Sequence, residues 1–270
     1  MPELPEVETV ANGVNTRVGG QRIVSVWLSR KREPFATPRG EMIDVISGRR
    51  IERVYRKGKH IVFDLSGKMQ WVVHLGMTGR LLVSAPEIPA PDHTHAVLAL
   101  SGGRELRFVD PRRFGRLAVH EVSNVGVGFR GPGSEPLSIS EKDFVALFRG
   151  RKGPIKGALL NQKLLHGVGN IYADESLFRA GIRPTNIAGR LSRVRLLRLR
   201  GALQDVLRKA IERGGSSVSD YVDADGAAGF FQLEHRVYMR GGKPCLVCGR
   251  PIKRIVLAGR GTHYCAYCQR

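Results

Sequence analysis

Residues 60–85 read HIVFDLSGKMQWVVHLGMTGRLLVSA. Three short apolar runs follow one another here: HIVFDL (60–65), MQWVVHLGM (69–77) and RLLVSA (80–85). Runs of this length, rich in Val, Ile, Leu and Trp, read as strands, and no helical spacing separates them. The same pattern extends outward to RIVSVWL (22–28), THAVLAL (94–100), RELRFVD (104–110) and RLAVHEV (116–122). Ser101-Gly102-Gly103, between two of these runs, marks a hairpin. Many closely spaced strands without intervening helices point to an antiparallel sandwich or barrel.

The segments flanking this block are of other kinds. In residues 2–18, Leu4, Val7, Val10, Ala11, Val14 and Val18 recur at three- and four-residue steps, which predicts an amphipathic helix stopped by Gly19-Gly20. Residues 124–139, NVGVGFRGPGSEPLSI, have the composition of an interdomain linker. Helical spacing returns over 141–149, 155–164, 170–180 and 190–213. The last of these is amphipathic and basic, and the bland account of its arginines is a solvated face. Residues 215–243 read as a loop followed by a strand near 232–239, and 244–270 form a cysteine module. The expected class is therefore α+β.

The chain has 270 residues, with 44 Lys+Arg against 24 Asp+Glu, a formal charge of +20. That length suits two domains, or one domain with appendages. Such a balance calls for a polyanion, because neutralising phosphates releases condensed counterions. No run of 18 apolar residues exists, so no transmembrane helix is expected. A basic segment followed by an apolar stretch is missing from the start, which argues against a secretory signal and for a cytoplasmic or nucleoid setting.

The four cysteines form Cys245-x2-Cys248, sixteen residues, then Cys265-x2-Cys268. Two such pairs bring four thiolates to one tetrahedral Zn²⁺. Four sulfur ligands leave no open position, so the ion is structural. A redox dithiol would need only one pair. Residues 234–270 hold Arg236, Arg240, Lys243, Arg250, Lys253, Arg254, Arg260 and Arg270 against Glu234 alone, a composition suited to phosphate. Arg260-Gly261 falls at the expected tip of the module.

The opening MPELPEVETV gathers three glutamates at the start of a basic chain. Helix chemistry explains it blandly: proline is welcome in a first turn, and acid is favoured at the positive end of the dipole. A chemical reading stands beside it. With Met1 removed, Pro2 exposes a secondary amine titrating near about 8. Such an amine attacks an electrophilic carbon to form an iminium, and Glu3 is placed to move a proton. A cation must offset the carboxylate's upward pull on the amine, and Lys59 in RKGKH (56–60) is a candidate.

MPELPEVETV, HLGMTGRL (74–81), DPRRFG (110–115), GVGNIYADESLFRAGIRP (167–184) and the terminal PCLVCG…THYCAYCQ together resemble the bacterial formamidopyrimidine-DNA glycosylase (Fpg, MutM) family, in family order across the chain. The sister endonuclease VIII-like enzymes typically begin PEGPE, and Leu4 here favours the oxidised-purine branch. The resemblance implies an N-terminal β-sandwich with its flanking helix, a helix–two-turn–helix domain and a terminal β-hairpin zinc finger. The corresponding divisions are 1–130, a linker at 131–139, 140–233 with the lesion-recognition loop, and 234–270.

The implied activity is that of a bifunctional glycosylase and AP lyase, acting as a monomer on double-stranded DNA that carries 8-oxoguanine or formamidopyrimidines. By resemblance, Pro2 is the nucleophile at C1′ and Glu3 the acid assisting ring opening and base release, with Glu6 orienting the site. Lys59 serves in β-elimination and Arg260 in δ-elimination, leaving a one-nucleotide gap with phosphate on both sides. DNA contacts carry over to His93, Arg112 and Arg151, where Lys is often expected, and further to His74, Lys156, Asn170 and Tyr172. His60 and His95 have no such support. Chemistry on a base within a duplex requires extruding it. Met77, Arg112 and Phe114 match residues that fill the void, although spacing alone assigns Met77 and Phe114 to the core. Loop 216–230 would hold the flipped base. An oxidised-pyrimidine glycosylase and a non-catalytic DNA-binding zinc protein stand as alternatives.

Overall fold

The computed structural model describes all residues except 32–33, 124–127, 130, 132 and 218–221. The proposed linker 124–139 and the loop 216–230 therefore lie partly outside the described residues. The chain forms two compact units, Met1–Gly131 with Gly214–Phe230, and Pro132–Arg213 with Phe231–Arg270.

The first unit begins with helix α1 (Leu4–Val18), strand β1 (Ile23–Leu28) and helix α2 (Arg39–Ile46). Seven strands follow: β2 (Ile51–Lys57), β3 (His60–Leu65), β4 (Met69–His74), β5 (Arg80–Ser84), β6 (Thr94–Leu100), β7 (Glu105–Val109) and β8 (Arg116–Glu121). They build two four-stranded antiparallel sheets, ordered β1-β6-β7-β5 and β2-β3-β4-β8. Ile61, Phe63, Trp71 and Val73 of one sheet share a core with Ile23, Leu98, Leu106 and Phe108 of the other. Val7, Val10, Ala11, Val14 and Val18 of α1 join that core. Fully burying a Val or Leu side chain contributes roughly 1.5–3 kcal/mol, so this apolar stripe holds α1 far more firmly than helix propensity could. The reversal at Ser101-Gly102-Gly103 forms as expected, with Gly103 at φ 74° and its N–H donating to the Leu100 carbonyl.

Two elements of this unit escape a periodicity reading. In β2 the burial pattern does not alternate, because a register shift falls between Ile51 and Arg53. In α2 only Met42 and Ile46 are buried, too few to stand out in the sequence.

The second unit holds α3 (Glu141–Phe148), α4 (Ile155–Leu160), α5 (Asn170–Arg179), a 3₁₀ turn (Ala188–Arg190) and α6 (Arg193–Glu212). A second 3₁₀ turn (Phe231–Glu234) precedes the hairpin of β9 (Lys253–Leu257) and β10 (Arg260–Tyr264). Ser140 and Ser192 cap α3 and α6 by accepting from the N–H three residues on. α4 is shorter than its expected span, since Asn161 turns the chain and its carbonyl accepts the Leu164 N–H. The strand expected near 232–239 does not form. One buried carboxylate, Glu175, accepts the consecutive N–H groups of Arg236, Val237 and Tyr238 at 2.9–3.0 Å. A strand sends neighbouring N–H groups to opposite sides, so three of them cannot meet one partner. Phe178 of α5 packs with Val237, Ile252, Cys245 and Cys265, so the cysteine module joins the helices in one unit.

The segment Gly214–Phe230, which contains the loop 216–230 and follows the helices in chain order, clusters with the first unit. The Val83 N–H donates to the Ala224 carbonyl, Ala224 lies in the sandwich core, and Asp225 pairs with Arg17 of α1.

Candidate active site and metal centre

Helix α1 starts two residues later than its sequence suggested. Glu3 is the N-cap, Pro5 occupies the first turn, and Pro2 precedes the helix. Glu3 and Glu6 form a reciprocal capping box in which the Glu3 N–H donates to Glu6 Oε2 at 2.9 Å. The other Glu6 oxygen accepts the Ser216 N–H at 2.8 Å. Pro2, Glu3 and Glu6 are all buried. Glu6 therefore fixes the backbone that carries Pro2 and Glu3, and holds the start of loop 214–230 against it.

Lys59 sits in the two-residue turn between β2 and β3, where Gly58 takes φ 63° and Lys57 pairs with His60. Glycine at the first central position suits a tight hairpin turn with positive φ. Arg56 reaches Glu8 of α1 at 2.5 Å and the Gly58 carbonyl at 3.3 Å. One guanidinium thus links the first helix to the turn bearing Lys59. His74 lies beside them. Its burial, and then the charges of His60, Lys59 and Arg116, lower its pKa to about 4. The Gly76 N–H donates to His74 Nδ1 at 3.2 Å, so the ring is neutral with its proton on Nε2, ready to donate.

The loops carrying Met77, His93, Arg112 and Phe114 are organised by a residue that sequence reasoning passed over. Asp110, fully buried, accepts the Thr78 hydroxyl at 2.6 Å and the Gly115 N–H at 2.8 Å. Its own N–H donates to the His93 carbonyl at 3.0 Å, and its carbonyl accepts from His95 Nε2 at 3.1 Å. A Cβ on Gly76 would lie 2.5 Å from the Phe114 backbone, so the two loops touch and glycine is required there. Met77 and Phe114 are 41% and 51% exposed, which removes the core explanation for both. Arg112 stacks on the Phe114 ring at 4.8 Å, and His93 is exposed. Asp110 opens the DPRRFG motif, and that position is the signal from which it could have been found.

In the second unit, Arg151 and Arg260 are exposed. Two expected DNA contacts are not. Lys156 is 0% exposed and its ammonium meets Asp174 Oδ1 at 2.6 Å, while Tyr172 is fully buried against Phe231. These residues belong to the interior of the helical unit. Asn170, half-buried, donates from Nδ2 to the Gly261 carbonyl at 2.9 Å. Arg260 follows a two-residue turn, Ala258-Gly259, with φ 50° and 70°, so it stands at the start of β10.

The four cysteine sulfurs lie within 4.8 Å of one another, with Cys245–Cys268 at 3.9 Å and Cys248–Cys265 at 3.5 Å. Four thiolates about 2.3 Å from a tetrahedral zinc would stand about 3.8 Å apart, so the donor set fits that ion. N–H groups of Val247 and Cys268 point at Cys245 and Cys265 Sγ, as thiolates favour, and Gly249 takes φ 72° to close the first knuckle.

Models of the formamidopyrimidine-DNA glycosylase N-terminal domain and of that enzyme's H2TH domain match residues 1–117 and 132–222. A model of the zinc finger found in FPG and IleRS matches 242–270. The chain belongs to the formamidopyrimidine-DNA glycosylase family. It is 46% identical to the formamidopyrimidine-DNA glycosylase of Solibacter usitatus and 42% identical to that of Stenotrophomonas maltophilia, over all of both chains in each case. Among solved structures it resembles the MutM (FPG) protein of Thermus thermophilus at 42% identity and TM-score 0.85, covering 99% of this chain and 98% of that one. It also resembles the Lactococcus lactis Fpg in complex with DNA containing an abasic site, at 32% identity and TM-score 0.89 over 99% of each chain. Family membership accords with the α+β class, the sandwich, the helical segment and the four-cysteine module. Among the described residues no helix is long and apolar enough to cross a membrane.

Proposed function

We propose that the protein is a bifunctional DNA glycosylase and AP lyase of base excision repair, excising 8-oxoguanine and formamidopyrimidines from double-stranded DNA. It acts as a cytoplasmic monomer that associates with the nucleoid on binding. The reading rests chiefly on Pro2-Glu3 held at the capped, buried start of α1, with Glu6 binding loop 214–230 and Glu8–Arg56 reaching the Lys59 turn. Segments 1–130, 140–233 and 234–270 divide the work into chemistry, DNA grip and finger.

With Met1 removed, the Pro2 nitrogen attacks C1′ of the damaged nucleotide. The C1′–N bond breaks, the base leaves with a proton, and an iminium remains on the sugar. Glu3 supplies the proton that opens the ring. Loss of a C2′ proton then breaks the C3′–O bond, assisted by Lys59. Loss of the C4′ proton breaks the C5′–O bond, assisted by Arg260. Both phosphates stay on the flanking strands, and water hydrolyses the iminium, freeing the unsaturated sugar aldehyde and the Pro2 amine.

His74 donates a neutral N–H to phosphate, and His93, Arg151 and Asn170 add further backbone contacts. Met77 and Phe114 replace lost stacking, and Arg112 bonds the orphaned cytosine. The zinc, held by Cys245, Cys248, Cys265 and Cys268, shapes the finger and supplies no chemistry. Excision is compared on 8-oxoguanine:C and thymine-glycol duplexes. The expected result is preference for the purine lesion with a one-nucleotide gap. Preference for thymine glycol would overturn the substrate assignment, and no excision from either would indicate a binding protein.

A further inference from the structure

The buried ion pair of the helical unit carries no role in the chemistry above. Lys156 of α4 and Asp174 of α5 have no exposed side-chain surface. Two charges held in such a place are costly unless every hydrogen-bonding position is filled. Here the pair is held among hydrogen bonds to one neighbouring strand. The ammonium of Lys156 lies 2.6 Å from Asp174 Oδ1 and donates to Thr262 Oγ1 at 2.8 Å and to the Gly261 carbonyl at 3.1 Å. The second Asp174 oxygen accepts the His263 N–H at 2.9 Å. Asn170 donates to the same Gly261 carbonyl, and the Thr262 hydroxyl donates to the Arg260 carbonyl at 3.1 Å.

Apart from the ion pair itself, every one of these bonds ends on residues 260–263, the strand that begins with Arg260. The hairpin is two strands joined by a two-residue turn, and isolated two-stranded hairpins are marginally stable in water. Its zinc ligands lie at the other end of β10 from Arg260. The backbone beside Arg260 is therefore set by the helices.

We propose that Lys156 and Asp174 are positioning residues that hold the Arg260 backbone for δ-elimination. This rests on the reading of Arg260 above. Misplacing a catalytic group by about 1 Å costs on the order of 100-fold in rate. Replacing a buried pair by apolar residues of similar volume commonly preserves stability, whereas removing one partner does not.

The test therefore uses the double variant Lys156→Met/Asp174→Leu beside Arg260→Ala, on a duplex with an abasic site. Three quantities are read: the β- to β,δ-product ratio on a gel, the rate of Schiff-base trapping, and bound zinc. The double variant is expected to keep zinc and wild-type trapping while δ-elimination slows by about 10- to 100-fold. Wild-type δ-elimination in a zinc-loaded double variant would overturn the proposal while Arg260→Ala still lowers it. Wild-type δ-elimination in Arg260→Ala would overturn the reading of Arg260, and the clasp with it. If the double variant loses zinc, Thr262→Val removes one acceptor of Lys156 and is read the same way. A smaller drop in δ-elimination supports the clasp and an unchanged ratio contradicts it.

Discussion

Glu6 does two things with one carboxylate. One oxygen closes the cap of α1 and the other takes the N–H of Ser216, 210 residues further along the chain. The glutamates at the start of the chain therefore do more than complement the helix dipole, since Glu6 also ties the cap to a distant loop. Lys156 shows the opposite outcome. A lysine in a basic chain reads naturally as a phosphate ligand, and only its burial reveals an internal partner. No local pattern in IKGALL or NIYADESLF pairs those two charges. His74 yields a measurable consequence. Its pKa falls from the ordinary 6.5 to about 4 on folding, mainly through burial. Between those values the unfolded chain binds a proton that the folded chain refuses. Stability from this group is full above about 6.5 and is lost as pH falls toward 4. His235, lowered to about 4 by burial and Arg179, adds to the same trend. Melting temperatures from pH 7 to pH 4 should fall less steeply in His74→Gln than in the wild type. Identical slopes would refute the shift.

At the scale of elements, periodicity served well wherever one face is buried. α1, the hairpin at Ser101–Gly103 and the basic helix α6 form as their spacing predicts. It failed where backbone groups are satisfied by something other than a regular ladder. The 232–239 segment gives three N–H groups to Glu175, and β2 carries a register shift that breaks its alternation. The packing of Gly214–Phe230 is hidden from the sequence for a different reason. Chain order puts the segment after α6, whereas Ala224 and Ser216 join the sandwich. Met77 and Phe114 look like core by spacing, and only the family motifs set them apart before their exposure is seen. The zinc module makes the second prediction. Its hairpin is too small to hold itself, and structural zinc contributes roughly 10–16 kcal/mol in comparable small modules. Chelation should abolish DNA binding while the near-UV signal of Trp71, buried in the sandwich, persists. Concerted loss of both would contradict the division into two units.

Over the whole molecule the charge is unevenly shared. The second unit holds 24 of the 44 Lys and Arg but only 8 of the 24 Asp and Glu, while the first unit, with Pro2 and Glu3, is close to balanced. The basic unit suits DNA grip and the near-neutral one suits chemistry. Binding to a lesion duplex should weaken steeply with salt, with a log–log slope of about −0.9 per phosphate neutralised. Affinity that does not change with salt would rule out such a grip.

The central claim is that the amine of Pro2 is the nucleophile, and peptide mapping of a borohydride-trapped complex tests it most directly. The protein is incubated with an 8-oxoguanine:C duplex and reduced, and the adduct is digested. The account predicts a sugar fragment on the N-terminal peptide, at Pro2 after loss of Met1, and a diminished adduct from Pro2→Gly, whose N-terminal amine is primary. An adduct on Lys59 or another side chain, or one formed undiminished by Pro2→Gly, would contradict it.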